Sequence, residues 1–397
     1  MTKRTTETLY LSYDGLTDPL GQSQILPYLC GLSARGFSIT IISFEKPERF
    51  AAGKQEIETL CKDNGLRWVP LLYHRRPPVF STLYDLFVLR RVVKKLHRQY
   101  AFSIVHCRSY ITALTGLWLK QRHGVKFIFD MRGFWADERV EGGLWNLNNP
   151  LFRRIYNFFK GRERAFISAA DAVVVLTEAA RAEVAGWNLN DRITVIPCCV
   201  DLDLFRKDKF TQADRQEVRT DLGIGQDDFV FLYLGSLGTW YLYDEMVTFF
   251  RQFKAKYPQS KFIFLTPDVD RVATDPDFIV RSVKRGEVPQ YIYASDVSLC
   301  FIKPSFSKKG SSATKMAEVM AMGIPVVTNP GWGDVAFLAE RTGSLYITDN
   351  RGNERLLERL AERSETGINP FFTDFFSLQG GIERYSRLYE IIGATHG

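Results

Sequence analysis

Short apolar runs recur along the whole chain, with helix-like stretches between them. In the first half they are TLYLSY (8–13), SITIISF (38–44), RWVPLLY (67–73), FSIVHC (102–107), KFIFD (126–130), AVVVL (172–176) and ITVIP (193–197). SQILPYLCGLSARG (23–36) and SYITALTGLWLKQRHG (109–124) carry helical patterns, and each closes on Gly behind an Arg or His, a helix stop. The second half repeats the plan with FVFLYLG (229–235), KFIFLT (261–266), FIVRSV (278–283), DVSLCFI (296–302), PVVTN (325–329) and SLYIT (344–348). Helices are predicted near 241–257, 312–322, 332–341 and 351–365. Strands alternating with helices imply a parallel sheet covered on both faces.

This pattern predicts an α/β chain of two Rossmann-like domains. The polar stretch VDLDLFRKDKFTQADRQEVRTDLGIGQDD (200–228) holds the linker near its start. The domains are placed at 1–200 and 201–378. The last helix, GGIERYSRLYEIIGATHG, follows the aromatic NPFFTDFF (369–376), and residues 379–397 are expected to cross back onto the first domain. Open α/β sheets bind ligands beyond the carboxyl ends of their strands. Both domains are therefore expected to turn that edge to a shared cleft.

A length of 397 residues suits two domains. The net charge of +7 favours anionic partners: nucleotide phosphates, anionic lipid or nucleic acid. Aromatic residues reach 14%, with 30 Phe, which fits large cores or a surface that meets sugars or lipid. The six cysteines form no C-x-x-C and five adjoin apolar runs, so buried thiols in a reducing compartment are expected. MTKRTTETLYLSYDG has no long apolar segment, which predicts no signal peptide, and no apolar run is long enough to span a bilayer.

The segment KKGSSATKMAEVMAMGIPVVTN (308–329) carries the most chemistry. Ala313, Met316, Ala317, Met320 and Ala321 recur at helical spacing and mark a buried stripe. Lys315 and Glu318 fall off that stripe on a common face. Gly310, Ser311, Ser312 and Thr314 lead into the helix, where free backbone N–H groups and the positive dipole end suit a phosphate. Lys315 would add a charge to a diphosphate, and Glu318, one turn on, could accept two ribose hydroxyls. The competing reading is an ordinary surface Lys/Glu pair.

GSSATKMAEVMAMGIPVVTN resembles the donor-site segment of GT-B-fold retaining glycosyltransferases, specifically glycosyltransferase family 4, with its Glu-x-Met-Ala-x-Gly-x-Pro-Val-Val pattern. Other segments agree in order. These are the glycine-bearing first loop DGLTDPLGQSQ (14–24), Ile196-Pro197-Cys198-Cys199-Val200-Asp201 with Phe205, YLGSLG (233–238), and EVPQYIYASDVSLCFIKPS (287–305) beside a nucleobase pocket. The resemblance implies a retaining hexosyltransferase that uses a nucleotide diphosphate sugar, UDP favoured over GDP, with neither metal nor other cofactor. Glu318 matches the family's ribose-binding glutamate, and Gly235, Ser236 and Gly238 match the loop facing the diphosphate. Two departures stand out. A family glutamate eight residues before Glu318 is replaced by Gly310, and a basic pair in the first loop of the second domain is replaced by Ser236 and Tyr241. Lys315 is the candidate replacement cation, with Lys303, Lys308 and Lys309 behind it.

In the first domain, IFDMRGFWADERVEGG (128–143) sets Asp130, Arg132, Asp137, Glu138 and Arg139 at or beyond a strand end. Arg132-Gly133 stands where the family often has His-Gly, so Arg132 is expected to face donor phosphate or the transferred sugar. Asp137 or Glu138 would orient the acceptor hydroxyl or take its proton. His106 ends another strand and is a further acceptor-side candidate. Gly15 and Gly21 would let backbone N–H groups approach a phosphate.

Three D-x-D triples, at Asp201, Asp268 and Asp275, sit in loops or the linker and are not expected to hold metal. RRPPVFSTLYDLFVLRRVVKKLHRQY (75–100) and FRRIYNFFKGRERAF (152–166) are basic and aromatic. They read either as core-facing helices with solvated flanks or as a face for anionic lipid and a lipid-linked acceptor. No nucleic-acid module is present. The sequence thus points to a cytoplasmic transferase at the inner face of a membrane, making polysaccharide or lipid-linked glycan. A non-catalytic nucleotide-sugar scaffold and a GT-B-fold epimerase are the alternatives.

Overall fold

Every apolar run named above forms a strand in the computed structural model, which describes residues 6–349, 354–362 and 369–394. The strands are β1 (Glu7–Ser12), β2 (Ser38–Glu45), β3 (Arg67–Leu72), β4 (Ile104–Arg108), β5 (Lys126–Asp130), β6 (Ala172–Val175) and β7 (Ile193–Val195). The second set is β8 (Phe229–Leu234), β9 (Ser260–Leu265), β10 (Phe278–Arg281), β11 (Val297–Leu299), β12 (Val326–Thr328) and β13 (Leu345–Ile347). The predicted helix at 351–365 appears as Glu354–Ala361, and its positions 351–353 and 363–365 lie outside the described residues. The same holds for residues 395–397 of the last helix and residues 1–5.

The chain divides into two compact units. One is Met1–Pro197 together with Leu378–Gly397, and the other is Cys198–Ser377. The first sheet runs β3-β2-β1-β4-β5-β6-β7 and the second β10-β9-β8-β11-β12-β13. Every strand pairing is parallel. In each sheet the winding reverses once, at β1/β4 and at β8/β11. A crevice opens beyond the carboxyl ends of the strands at such a reversal. The informative loops are therefore those after Ser12 and Arg108, which are register partners, and those after Leu234 and Leu299.

The phenylalanine excess is largely core. Phe229, Phe231, Phe249, Phe250, Phe253, Phe262 and Phe264 pack as one buried cluster on the second sheet. Phe231 meets Phe253 edge to face at 5.0 Å, a favoured aromatic geometry. The polar stretch 200–228 is not an open linker. It holds the helix Gln212–Asp221, with a capping box at Thr211 and Asp214. Arg219 on that helix is buried and donates to the carbonyls of Ala294, Gln226 and Asp228 and to Asp296.

The last helix, Leu378–Ala394, packs on the helix Leu26–Ala34 of the first unit. Gly31 permits this approach, since a Cβ there would lie 2.3 Å from Ile382 Cδ1. Tyr385 and Tyr389 point inward and are buried. Cys30 is half-buried, the other five cysteines are buried, and all six are free thiols. No helix among the described residues is long and apolar enough to cross a membrane.

Candidate functional site

The loop after β8 begins at Gly235, whose φ is +112° and whose N–H donates to Leu265 O at 2.8 Å. A Cβ here would stand 2.8 Å from Lys315 Nζ, so glycine serves both the turn and the close approach. Asp268 accepts from Leu237 N–H at 2.8 Å and Arg271 donates to Leu237 O at 2.8 Å, fixing the turn from behind. Ser236 is exposed, and its carbonyl accepts from Tyr233 Oη at 2.6 Å. Around Gly238 the backbone is open, with nothing within 4 Å of a Cβ. The loop is then pinned to the strand-end segment opposite, where Lys303 N–H donates to Trp240 O at 2.8 Å and Leu242 N–H to Phe301 O at 3.1 Å. Lys303 itself extends into solvent.

The segment after β11 supplies the other wall. Asn329 clamps its start, accepting from Ile302 N–H at 2.7 Å and donating to Ile302 O at 2.8 Å. A 3-10 turn spans Ser307–Gly310, with Gly310 buried, and Lys308 O accepts the N–H groups of Ser311 and Gly333. Ser312 Oγ accepts from Cys198 N–H at 3.2 Å. The helix Thr314–Ala321 follows with no side-chain cap at its N-terminus. Of the predicted stripe, Met316, Ala317, Met320 and Ala321 are buried and Ala313 is half-buried.

Lys315 and Glu318 are both drawn inward. Lys315 Nζ lies 3.5 Å from the Tyr241 ring centroid and 4.6 Å from that of Tyr233, and it donates to Tyr233 Oη at 3.3 Å. Burial pushes its ammonium down to about 8, against the opposing pull of Cys300 and Glu318. Glu318 accepts from Arg285 Nη2 at 2.7 Å, and the Arg285 guanidinium carbon lies 5.3 Å from the Phe205 ring centroid. Burial raises the Glu318 carboxyl above its ordinary range, with Arg285 and then Lys315 pulling it back. Lys308 Nζ stands 3.9 Å from the Trp240 ring centroid. The surface Lys/Glu pair therefore does not describe this helix.

In the first unit the sheet edge carries a buried polar cluster. Asp130, at the end of β5, is 1% exposed. Its Oδ2 accepts from Tyr385 Oη at 3.0 Å and lies 3.4 Å from His106 Nε2, while Arg132 Nη1 stands 3.8 Å from Oδ1. Burial alone would raise this carboxyl. Arg132, His106 and Arg108 overcome it and hold Asp130 below its ordinary value. Arg132 has φ +56°, an uncommon backbone for a side chain of its size. Burial lowers His106, which Asp130 opposes, and its Nδ1 meets Tyr389 Oη at 2.8 Å.

Three sets of first-domain candidates have partners within the unit. His106 has both ring nitrogens on protein groups inside the unit and supports Asp130. Asp137 is committed to the helix behind it, accepting from Tyr156 Oη and Lys160 Nζ, each at 2.8 Å. Gly15 and Gly21 shape a loop in which two N–H groups are already taken. The Glu45 carboxylate at the end of β2 accepts from Leu16 N–H at 2.8 Å and Thr17 N–H at 3.1 Å. A Cβ at Gly15 would meet that carboxylate at 2.6 Å, and one at Gly21 would meet Gly15 O at 2.2 Å. Glu138 stays half-buried in the first turn of the short helix Trp135–Glu141.

The acidic triples have structural partners. Asp201 accepts from the N–H groups of Asp203 and Leu204, Asp268 holds Leu237, and Asp275 and Asp277 pair with Arg251, the latter also with Lys254 and Lys261.

Comparison with known proteins bears on the fold. Residues 28–204 match the model of Glycosyltransferase Family 4. Over its full length the chain superposes on sucrose-phosphate synthase from Thermosynechococcus elongatus with a TM-score of 0.65 at 14% identity, covering 98% of this chain and 100% of that one. It superposes on Anabaena HepE, solved with UDP and glucose, with a TM-score of 0.66 at 14% identity, covering 96% and 99%. The fold is GT-B. Alpha-monoglucosyldiacylglycerol synthase of Acholeplasma laidlawii is 23% identical over 206 residues, which is 46% of this chain and 50% of that protein. The matched part thus spans half the length of that relative.

Within this GT-B fold, the loop at 235–238, the turn at 308–312, Lys315 and Glu318 come together in the second unit. Sequence reasoning missed Arg285, Trp240 and Tyr241 as members of that site, and Glu45 as the anion in the first loop. Only Tyr241 carried a signal, since an aromatic residue stands where the resemblance expects a basic one.

Proposed function

We propose that this chain is a retaining, metal-independent glycosyltransferase. It moves a hexose from a nucleotide diphosphate sugar, with UDP favoured over GDP, to an acceptor hydroxyl in polysaccharide or lipid-linked glycan synthesis. The observation that carries the reading is the pairing of Lys315 and Glu318 on one helix, at the reversal of the second sheet, opposite the Gly235–Gly238 turn. Glu318 offers a buried carboxylate to the two hydroxyls of a ribose. Lys315 and the N-terminus of its helix offer positive charge to the leaving diphosphate, where negative charge grows in the transition state. UDP is favoured because HepE was solved with UDP and glucose.

On the acceptor side, Arg132, anchored beside Asp130, supplies the cation at the edge of the first sheet, and Asp137 or Glu138 is the carboxylate for the acceptor proton. The lipid-linked branch rests on the helix Phe80–Tyr100. Phe80, Leu83, Tyr84 and Phe87 are exposed beside Arg90, Arg91, Lys94 and Lys95, a basic and apolar face suited to anionic lipid at the inner side of a membrane. The diacylglycerol in the relative's name fits the same direction.

The test is a thermal-shift panel of UDP, GDP, ADP and CMP on wild type and Glu318→Ala. A ligand at about 100 times its Kd adds about 2.7 kcal/mol of stability. A diphosphate shift that Glu318→Ala abolishes supports the reading, and no shift with any nucleotide refutes it. Slow release of sugar from the donor then separates an enzyme from a non-catalytic binder, the reading that the absent basic pair favours.

A further inference from the structure

The loop after β8 lacks basic residues at Ser236 and Tyr241, yet it is not disengaged from cations. Two consecutive rings, Trp240 and Tyr241, each cover a lysine of the segment opposite. Trp240 lies 3.9 Å from Lys308 Nζ and Tyr241 lies 3.5 Å from Lys315 Nζ. An ammonium over a ring face is held electrostatically, more strongly where water is excluded. The rings are themselves fixed: Trp240 O accepts from Lys303 N–H, Tyr241 bridges Ile302, and Leu242 N–H donates to Phe301 O. Lys308 is 6% exposed and its carbonyl closes the 308–311 turn.

We infer that the cation for the donor's diphosphate sits on the helix at Thr314–Ala321, and that Tyr241 is the positioning residue that holds Lys315 for it. The inference rests on the donor reading above and deepens it. The Tyr241 ring meets Lys315 on one side, while Gly235, with no Cβ, leaves room for the amine on another. Gly238 leaves the backbone beside them open to a bulky anion. Tyr233 Oη is the hydroxyl to which the amine donates, at 3.3 Å, and a neutral hydroxyl leaves the ammonium's charge uncancelled. Glu318, the carboxylate nearest along the helix, is paired with Arg285 instead. Trp240 on Lys308 staples the same loop to the 308–312 turn, so the loop and the turn keep a fixed spacing.

The experiment measures affinities of the full chain by calorimetry for UDP and UMP, with the GDP/GMP and ADP/AMP pairs screened on wild type. The pair whose diphosphate binds is carried forward. The wild type is expected to prefer the diphosphate, and Tyr241→Leu to reduce that preference about tenfold while the monophosphate affinity stays within about twofold. Retained monophosphate binding shows that the variant is folded. Lys315→Gln should give the same loss, and the double variant should lose no more than either single one, the non-additivity of residues acting as a unit. Tyr241→Phe, which keeps the ring face, should retain most of the preference. A diphosphate preference that survives Tyr241→Leu, or losses that add in the double variant, overturns the inference alone. If no nucleotide binds wild type, the donor reading falls and the inference falls with it.

Discussion

Lys315 is a cation the fold keeps at an energetic disadvantage, and replacing it should stabilise the protein. Its ammonium sits at about 8 against an ordinary 10.5, with burial the largest cause. At about 1.36 kcal/mol per tenfold change, that separation corresponds to on the order of 3 kcal/mol against the charged form. The side chain is only partly enclosed, so about 1–3 kcal/mol is the working range. Lys315→Met keeps the length of the chain and removes the charge. At pH 7 the variant is expected to unfold at higher urea, by about 1–3 kcal/mol. The pH dependence fixes the cause. Between about 8 and 10.5 the unfolded chain binds the Lys315 proton and the folded chain does not, so wild-type stability rises with pH across that window relative to the variant. The gain from Lys315→Met is therefore full below pH 8 and fades towards pH 10.5. Paired urea titrations from pH 7 to 10.5 cancel every other titrating group. A variant that is less stable at pH 7, or a difference that is flat with pH, refutes the reasoning.

Three further outcomes are expected. Diphosphate binding should weaken about tenfold from pH 7 to 9 as Lys315 loses its proton above about 8, and this dependence should vanish in Lys315→Gln; calorimetry with the matching monophosphate controls for the base. Glu45→Ala should destabilise the first unit by about 3 kcal/mol, because the Leu16 and Thr17 N–H groups lose their buried acceptor, and an unchanged urea midpoint would contradict that. Tyr385→Phe should lower stability by about 1.5–3 kcal/mol by removing a hydroxyl from buried Asp130, again read from the urea midpoint, while a helix held only by apolar contacts would show almost no change.

The strands were legible because each is a short apolar run, and buried parallel strands must be apolar on both faces. The helix at Thr314–Ala321 was legible for a similar reason: its stripe of Met and Ala leaves Lys315 and Glu318 conspicuous. What could not be read was who meets whom. Arg285 is 33 residues from Glu318, and Glu45 is 29 from Leu16. Those partners meet only because strand order brings their loops to one sheet edge. The glycines of the first loop show the consequence. Gly15 and Gly21 suggested a cradle for an external phosphate, and the geometry does make one, but β2 delivers its own carboxylate into it. Periodicity reports which face a residue takes and is silent on the residue it faces.

The same logic explains how a loop without a basic residue at Ser236 or Tyr241 still stands beside a cation. Ser236 and Tyr241 sit on a loop anchored by backbone hydrogen bonds to Phe301 and Lys303 and by Asp268 and Arg271 behind Leu237. Such a loop presents surface at a fixed height whatever its side chains are. With a ring at Tyr241 that surface attracts a cation, and the residue in reach is Lys315. The charge then comes from a helix whose N-terminal end is itself positive. Burial disfavours the charged form here and depresses the Lys315 ammonium, with Cys300 and Glu318 pulling the other way. On the proposed donor reading, a diphosphate beside Lys315 would favour the charged form and offset that burial cost.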